Sequence, residues 1–209
     1  METSQKIVGV VLAGGRSSRM GGGDKCLKPL CGRPLLAHLL ARLAPQVSRL
    51  VINANGDLSR FQAFGLPVIA DSVAGFQGPL AGIEAGLAWA AVHSPEAAWA
   101  VTVPGDTPFI PKDLVARLAK AVREAPMAVA SSDAGLHPVV GLWPVAMAGA
   151  LSEALAAGER KATSWVTAQG AAQVFFDAIE IGDVQVDPFF NINRPEDLAA
   201  VEALLKGAA

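Results

Sequence analysis

Apolar runs and helical-period stripes take turns along this chain. Residues 7–13 form an unbroken apolar run, which reads as a buried strand. Shorter runs of the same kind recur at 50–52, 68–70, 99–103, 127–130 and 137–143. Between them the period lengthens. Leu35, Leu36, Leu39, Leu40 and Leu43 follow Arg33-Pro34 at helical spacing, so Arg33-Pro34 is expected to open a helix that Pro45 closes. A second helix is expected from Gly78-Pro79 to roughly residue 92, with Pro79 in its first turn. A third follows Pro111, with Leu114, Leu118 and Val122 on one face, and a fourth spans 146–155. Strands thus alternate with helices through about residue 130, which predicts a mainly parallel sheet flanked by helices on both faces. The last third is less regular. Glu159-Arg160-Lys161 reads as a charged turn, 174–176 as strand-like, and 187–193 as a turn with a short extended piece. Asn193 is expected to cap a final helix, with Glu196 in capping-box position and Leu198, Val201, Leu204 and Leu205 as its stripe. No linker sets this part aside, so residues 1–209 are expected to form a single domain.

After the first strand the pattern breaks. Five glycines fall between Gly14 and Gly23, and from Arg16 to Arg33 five cations accompany one anion, Asp24. Glycine lets backbone N–H groups approach a ligand closely, and successive N–H groups form a concave anion site. The loop is neither the dinucleotide fingerprint nor the phosphate loop that ends in Lys-Ser/Thr, because Cys26 follows Lys25. Parallel sheets bind ligands at the carboxyl ends of their strands. Asn53, Asp71 and Asp106 each lie just past a different predicted strand, beside that loop. A strand-end carboxylate facing phosphates suits Mg²⁺, which is commonly held by one or two carboxylates plus substrate phosphates. Lys25 and Arg19 are candidates for neutralising a polyphosphate, one as a point charge and one as a fork of donors. A carboxylate can accept from the N1–H and exocyclic amine of guanine, so Asn53 or Asp71 is a candidate base reader. Which of the two does so stays open. His38 and His93 fall in predicted helices; His137-Pro138 opens a strand near the ligand side, residues 131–135 before it read as a loop, and neither has an assigned role. No Ser/His/Asp or Cys/His nucleophile arrangement is evident.

Composition narrows the picture. The net charge of −2 gives no general attraction to nucleic acid or membranes, so the local positive charge points to a small anionic ligand. Hydrophobic residues make up 52% of the chain, yet no run approaches the roughly 18 residues needed to cross a bilayer. The polar first residues argue against a secretory signal, and Cys26 and Cys31 form neither a zinc site nor a disulfide framework. A cytoplasmic monomer is expected.

The loop, with Leu12-Ala13-Gly14-Gly15, Ser18-Arg19-Met20-Gly21 and Asp24-Lys25, resembles the signature of nucleotidyltransferases that activate sugars and cofactors. Further matches include residues 51–55, 78–82, Asp106-Thr107-Pro108, His137-Pro138, 157–160 and Asn191-Ile192-Asn193. With them, nearly the whole chain resembles the molybdenum cofactor guanylyltransferases. That resemblance implies an α/β fold of nucleotidyltransferase type, with a Rossmann-like, mainly parallel sheet. It implies Mg²⁺ as cofactor, GTP and the molybdenum-pterin cofactor as substrates, and transient contact with cofactor-delivering or molybdoenzyme proteins. GTP contacts then fall on Leu12, Ala13, Gly14, Gly15, Lys25, Asn53, Asp71 and Asp106, in the N-terminal half. Lys25, Asp106 and Arg19 become the catalytic candidates, and Asp106 the metal ligand. Arg19, Arg160, Lys161, Asn191 and Asn193 become candidates for the pterin side. The rival readings are a sister enzyme using CTP or a sugar phosphate, and a non-catalytic GTP- or cofactor-binding module.

Overall fold

The computed structural model describes residues 6–14, 24–72 and 78–207. In chain order the elements are β1 (Ile7–Leu12), β2 (Pro29–Leu30), β3 (Arg33–Pro34), α1 (Leu35–Leu43), β4 (Arg49–Asn53), β5 (Val68–Ile69), α2 (Pro79–His93), β6 (Trp99–Pro104) and α3 (Leu114–Ala121). There follow β7 (Ala128–Ser132), β8 (Gly135–Pro144), α4 (Ala148–Ala156), α5 (Ala162–Ala168), β9 (Ala172–Phe175), β10 (Ile179–Ile181), β11 (Val184–Val186) and α6 (Pro195–Gly207).

Seven strands form one sheet in the order β5-β4-β1-β6-β8-β7-β9. All pairings are parallel except those of β8, which runs antiparallel to both β6 and β7. The alternation of side chains along each strand sorts the core into two layers. Ile7, Val11, Ile52, Val101 and Val103 pack with α1 and α3 on one face. Val8, Val10, Val51, Ala100 and Trp143 pack with α2, α4 and α5 on the other. The fold is therefore the mainly parallel α/β sheet expected, covered on both sides.

Helix α2 has no polar stripe, because residues 80–87 are all buried. Gly82 and Gly86 let it lie tight on the sheet: a Cβ at Gly86 would stand 2.5 Å from Val10 Cγ1, and one at Gly82 2.3 Å from Asn53 Oδ1. Pro79 does occupy the first turn, after Gly78.

Several local expectations are corrected. Pro34 does cap α1, but Arg33 and Pro34 also pair with Leu30 and Pro29 in a small hairpin that the sequence reading lacked. Cys31 and Gly32 both take positive φ, 49° and 77°, as a two-residue primed turn requires. Ser131 and Ser132 belong to β7 rather than to a loop. Helix α5 follows the charged turn directly, too short to declare itself by period; it buries Ala162, Trp165 and Val166. The hairpin β10–β11 is an addition to the sequence reading, although Ile179-Glu180-Ile181 and Val184-Gln185-Val186 alternate on either side of Gly182-Asp183, a two-residue hairpin turn. At α6, the carboxylate that reaches back is Asp197, not Glu196: it accepts from the backbone N–H groups of Asn193 and Arg194, both at 2.8 Å. The Asn193 side chain is thereby free for the site.

A third cluster returns the chain end to its beginning. Ile181, Ile192 and Val201 pack with Leu30, Leu35 and Phe109. The Cys31 N–H donates to Glu202 at 2.8 Å, tying the β2–β3 turn to α6. Among the described residues no helix is long and apolar enough to cross a membrane.

Candidate active site

The carboxyl ends of β1, β4, β5 and β6 meet at one rim. Backbone bonds lock them together: Ala13 N–H donates to Asn53 O at 2.7 Å, Ala54 N–H to Ile69 O at 2.8 Å, and Gly105 N–H to Leu12 O at 2.9 Å. Leu12, Ala13 and Gly14 thus sit at the rim where the glycine loop leaves β1. Gly15 and Arg19 lie outside the described residues.

On the β4–β5 side a carboxylate is held by two amides. Asp71 accepts from Asn53 Nδ2 at 2.9 Å on one oxygen and from Asn55 Nδ2 at 2.7 Å on the other. Its own N–H donates to Asn55 Oδ1 at 3.0 Å. Asn53 is 3% exposed and pressed against Gly82, whereas Asp71 is only half-buried. Each carboxylate oxygen keeps a lone pair for a further donor. Asn55 Nδ2 is 3.3 Å from where a Cβ on Gly14 would stand, so the amide pair borders the start of the glycine loop. The hydroxyl of Ser72, next in the chain, donates to the buried carboxylate of Glu84 on α2.

On the β6 side charge dominates. Lys25 Nζ forms an ion pair with Asp106, and the two side chains are 20% and 14% exposed. The same ammonium donates to Asn193 Oδ1 at 2.5 Å. Asp106 O accepts from Ile192 N–H at 3.2 Å, which fixes the 191–193 segment on the strand end. Beneath this pair lies Cys26, whose thiol is pushed up to about 12, first by burial and then by the charges of Asp24 and Asp106. It is a protonated packing group at neutral pH.

Among the sequence candidates, the structure joins Lys25, Asp106 and Asn193 directly, and Asn53 with Asp71. Asn191 lines a cavity beside them with Thr107 and His137. Arg160 and Lys161 are exposed, and the Arg160 carbonyl borders Gly78 at the start of α2. The Arg160 guanidinium is turned onto its own chain, donating at 2.7 Å to both Leu155 O and Glu159 O. Among the described residues no hydrogen bond or ion pair links Arg160 or Lys161 to the Lys25–Asp106 pair. His38 and His93 are occupied within the fold, near Leu30 O at 2.9 Å and Trp89 O at 3.0 Å.

Two residues escaped the sequence reading. Arg60 grips Asp24 through two nitrogens, donates to Asn55 O at 2.6 Å, and lies 5.0 Å from the centre of the Phe61 ring. It joins the returning end of the glycine loop to the amide clamp, and an isolated arginine in the short 3-10 helix Leu58–Phe64 gave no hint of that. Asn55 had a signal: it follows Asn53 by two, and alternate residues of an extended chain share a side.

Among the described residues no cluster of three or more His, Cys, Asp or Glu side chains could hold a metal by itself. A lone carboxylate, Asp106, suits a hard cation that arrives already bound to phosphates rather than one resident in a protein cage.

A MobA-like NTP transferase domain model matches residues 9–174. The chain belongs to this family. Within it, a molybdenum cofactor guanylyltransferase of Rhodopseudomonas palustris is 49% identical over 197 residues, covering 93% of this chain and 92% of the relative. The crystal structure of molybdopterin-guanine dinucleotide biosynthesis protein A from Archaeoglobus fulgidus is similar with a TM-score of 0.71 at 22% identity, over 96% of this chain and 100% of that one. A manganese complex of the Mycobacterium tuberculosis protein Rv0371C is similar with a TM-score of 0.65 at 19% identity, over 95% and 99% of the two chains. Both likenesses extend over nearly the whole of the α/β fold described above.

Proposed function

We propose that the chain transfers a guanylyl group from GTP to the terminal phosphate of a molybdenum-bearing pyranopterin and releases pyrophosphate, acting as a single domain. The observation that carries this reading is the Asp71 carboxylate, oriented by Asn53 and Asn55 at the mouth of the glycine loop. Guanine presents two adjacent donors, N1–H and the exocyclic amine, to such a group. Cytosine presents one amine beside a ring-nitrogen acceptor, which a carboxylate repels. Asp71 is thus the base reader, and Asn53 the residue that holds it.

Leu12, Ala13 and Gly14 place the nucleotide over the strand ends, with Gly15 and the rest of the loop completing the phosphate seat. Lys25 lies between Asp106 and Asn193 and can exchange either for a phosphate oxygen without leaving the site. That exchange frees the Asp106 carboxylate for Mg²⁺. A divalent cation bound there supplies charge neutralisation at the reacting phosphate. An acceptor phosphate oxygen forms its bond to the α-phosphorus as the bond to the pyrophosphate oxygen breaks. The attacking group is already an anion, so no strong base is needed; positioning and electrostatics carry the step. Asn191 and Asn193 border the acceptor side of this centre. Arg19, Arg160 and Lys161 remain charge partners for the acceptor once it is bound.

Thermal shift with GTP, CTP, ATP and UTP in Mg²⁺, followed by pyrophosphate release on adding the acceptor, tests this directly. GTP should stabilise most and support turnover, and Asp71→Asn should cut kcat/KM for GTP by about a hundredfold. Preference for CTP in the wild-type protein overturns the substrate assignment.

A further inference from the structure

A cavity of about 190 Å³ opens beside the Lys25–Asp106 pair, on the side away from the Asp71 clamp. Its walls come from the end of β6 (Pro104, Thr107), the first half of β8 (His137, Val139) and the returning segment (Phe189, Asn191). Among the described residues no lysine or arginine lines it, and the only ionisable group that does is His137. It is poorly suited to a phosphate and well suited to an uncharged flat ring: Phe189 lies 4.7 Å from the imidazole at an interplanar angle of 48°.

The hydrogen bonds around His137 determine its tautomer. The Ser132 hydroxyl has one proton, and it is donated to Asp187. The serine oxygen therefore accepts, from Ala134 N–H at 3.2 Å and from His137 Nε2 at 2.7 Å. Asp187 is itself held as an acceptor by the Phe189 N–H at 2.7 Å. The proton of the neutral imidazole is thus on Nε2, and Nδ1 is a bare acceptor with no partner among the described residues. Burial, which holds the imidazole below its ordinary pKa against the pull of Asp187, keeps it neutral. Thr107 Oγ1 donates to Pro104 O at 2.6 Å, so it too offers the cavity only lone pairs. The cavity presents acceptors plus the Asn191 amide.

We propose that this cavity is a subsite for a 2-aminopyrimidin-4-one ring edge, read by His137 Nδ1, with Asp187 acting through Ser132 as the positioning residue. The inference rests on the function proposed above. Two ligands of that reaction carry this edge, the pterin of the acceptor and the guanine of GTP; the cavity lies across the Lys25–Asp106 centre from the Asp71 clamp, which assigns it to the acceptor.

The probe is 6-hydroxymethylpterin, titrated by its own fluorescence against the wild-type protein, with 6-hydroxymethyllumazine, which has an oxygen in place of the exocyclic amine, as control. The wild-type protein should prefer the pterin by about tenfold. His137→Phe, which keeps a flat ring but no acceptor, should erase that preference. Asp187→Asn should do the same, since an asparagine amide can donate to Ser132 and turn its proton toward the imidazole. Both variants should melt near the wild-type temperature and bind GTP within about twofold of it. Equal pterin preference in wild type and His137→Phe overturns the subsite. Complete displacement of the probe by GTP in a protein carrying Asp71→Asn overturns its assignment to the acceptor. If wild-type protein binds the pterin selectively but releases no pyrophosphate from GTP, the subsite stands and the proposed function fails.

Discussion

At the end of β4 two neutral amides hold a carboxylate, whereas at the end of β6 a lysine holds one. The first arrangement is a fixed recognition surface. Asn53 is buried under Gly82, both oxygens of Asp71 are engaged, and spare lone pairs await a ligand. The second is an exchangeable one. Lys25 has a counter-ion on one side and an amide on the other, and an incoming polyphosphate can take the place of either. One half of the rim is organised for identity and the other for charge. This division suits nucleotidyl transfer, in which the base stays put while charge is redistributed at phosphorus.

The comparison breaks most sharply at Asp106. Asp106→Ala should lower Mg²⁺-dependent pyrophosphate release by about a thousandfold, an effect of the size seen when one electrostatic element of an active site is removed. The fold should survive with a measurable drop in melting temperature, because Lys25 loses its counter-ion at a site where the two side chains are only 20% and 14% exposed. A variant with near-normal turnover would remove the residue from the chemistry.

On the recognition side, Gly82→Ala places a methyl group 2.3 Å from Asn53 Oδ1. The expected cost is about 1–3 kcal/mol in denaturant unfolding. GTP affinity should fall with it, while any residual turnover keeps its metal dependence. Loss of stability with unchanged GTP affinity would show that Asn53 does not orient Asp71.

Arg60 spans the two halves through Asp24 and Asn55. Arg60→Ala should raise KM for GTP by about tenfold with a smaller change in kcat, since the loop end loses its tether but no reacting group is lost. Steady-state kinetics at saturating acceptor would separate the two parameters.

The smallest effect concerns Cys26. Its thiol is raised from 9.0 to about 12 in the folded chain, so the unfolded chain loses this proton first as pH rises. The stabilisation is complete below pH 9.0 and is lost progressively up to about pH 12. Cys26→Ala should flatten the fall of stability across that window, measured by urea unfolding at several pH values, and leave the site working at neutral pH.

Much of the rim was legible beforehand because its signals are local. Strand runs ending in Asn53, Asp71 and Asp106 carry their own punctuation, and a parallel sheet brings such ends to one edge. Pro79 after Gly78 marked the start of α2 in the same way. Roles that depend on a partner were different. Sequence left Asn53 and Asp71 interchangeable, and only the fold distinguishes them: Asn53 is buried under Gly82 and donates to Asp71, which is half-buried. His137 stood unassigned because Ser132 is near it in sequence but Asp187 is not.

What the sequence determined by itself was the alternating α/β layering, the glycine-rich composition of the segment after β1 and the identity of the strand-end carboxylates. These follow from periodicity, backbone freedom and charge within a few neighbouring residues. The tertiary structure alone decided which groups meet. Lys25 and Asn193 lie 168 positions apart and touch only because the cluster around Leu30, Ile192 and Val201 folds the end of the chain back over its beginning. No local pattern encodes a contact of that range; it arises from the burial of apolar surface that neither end can cover alone.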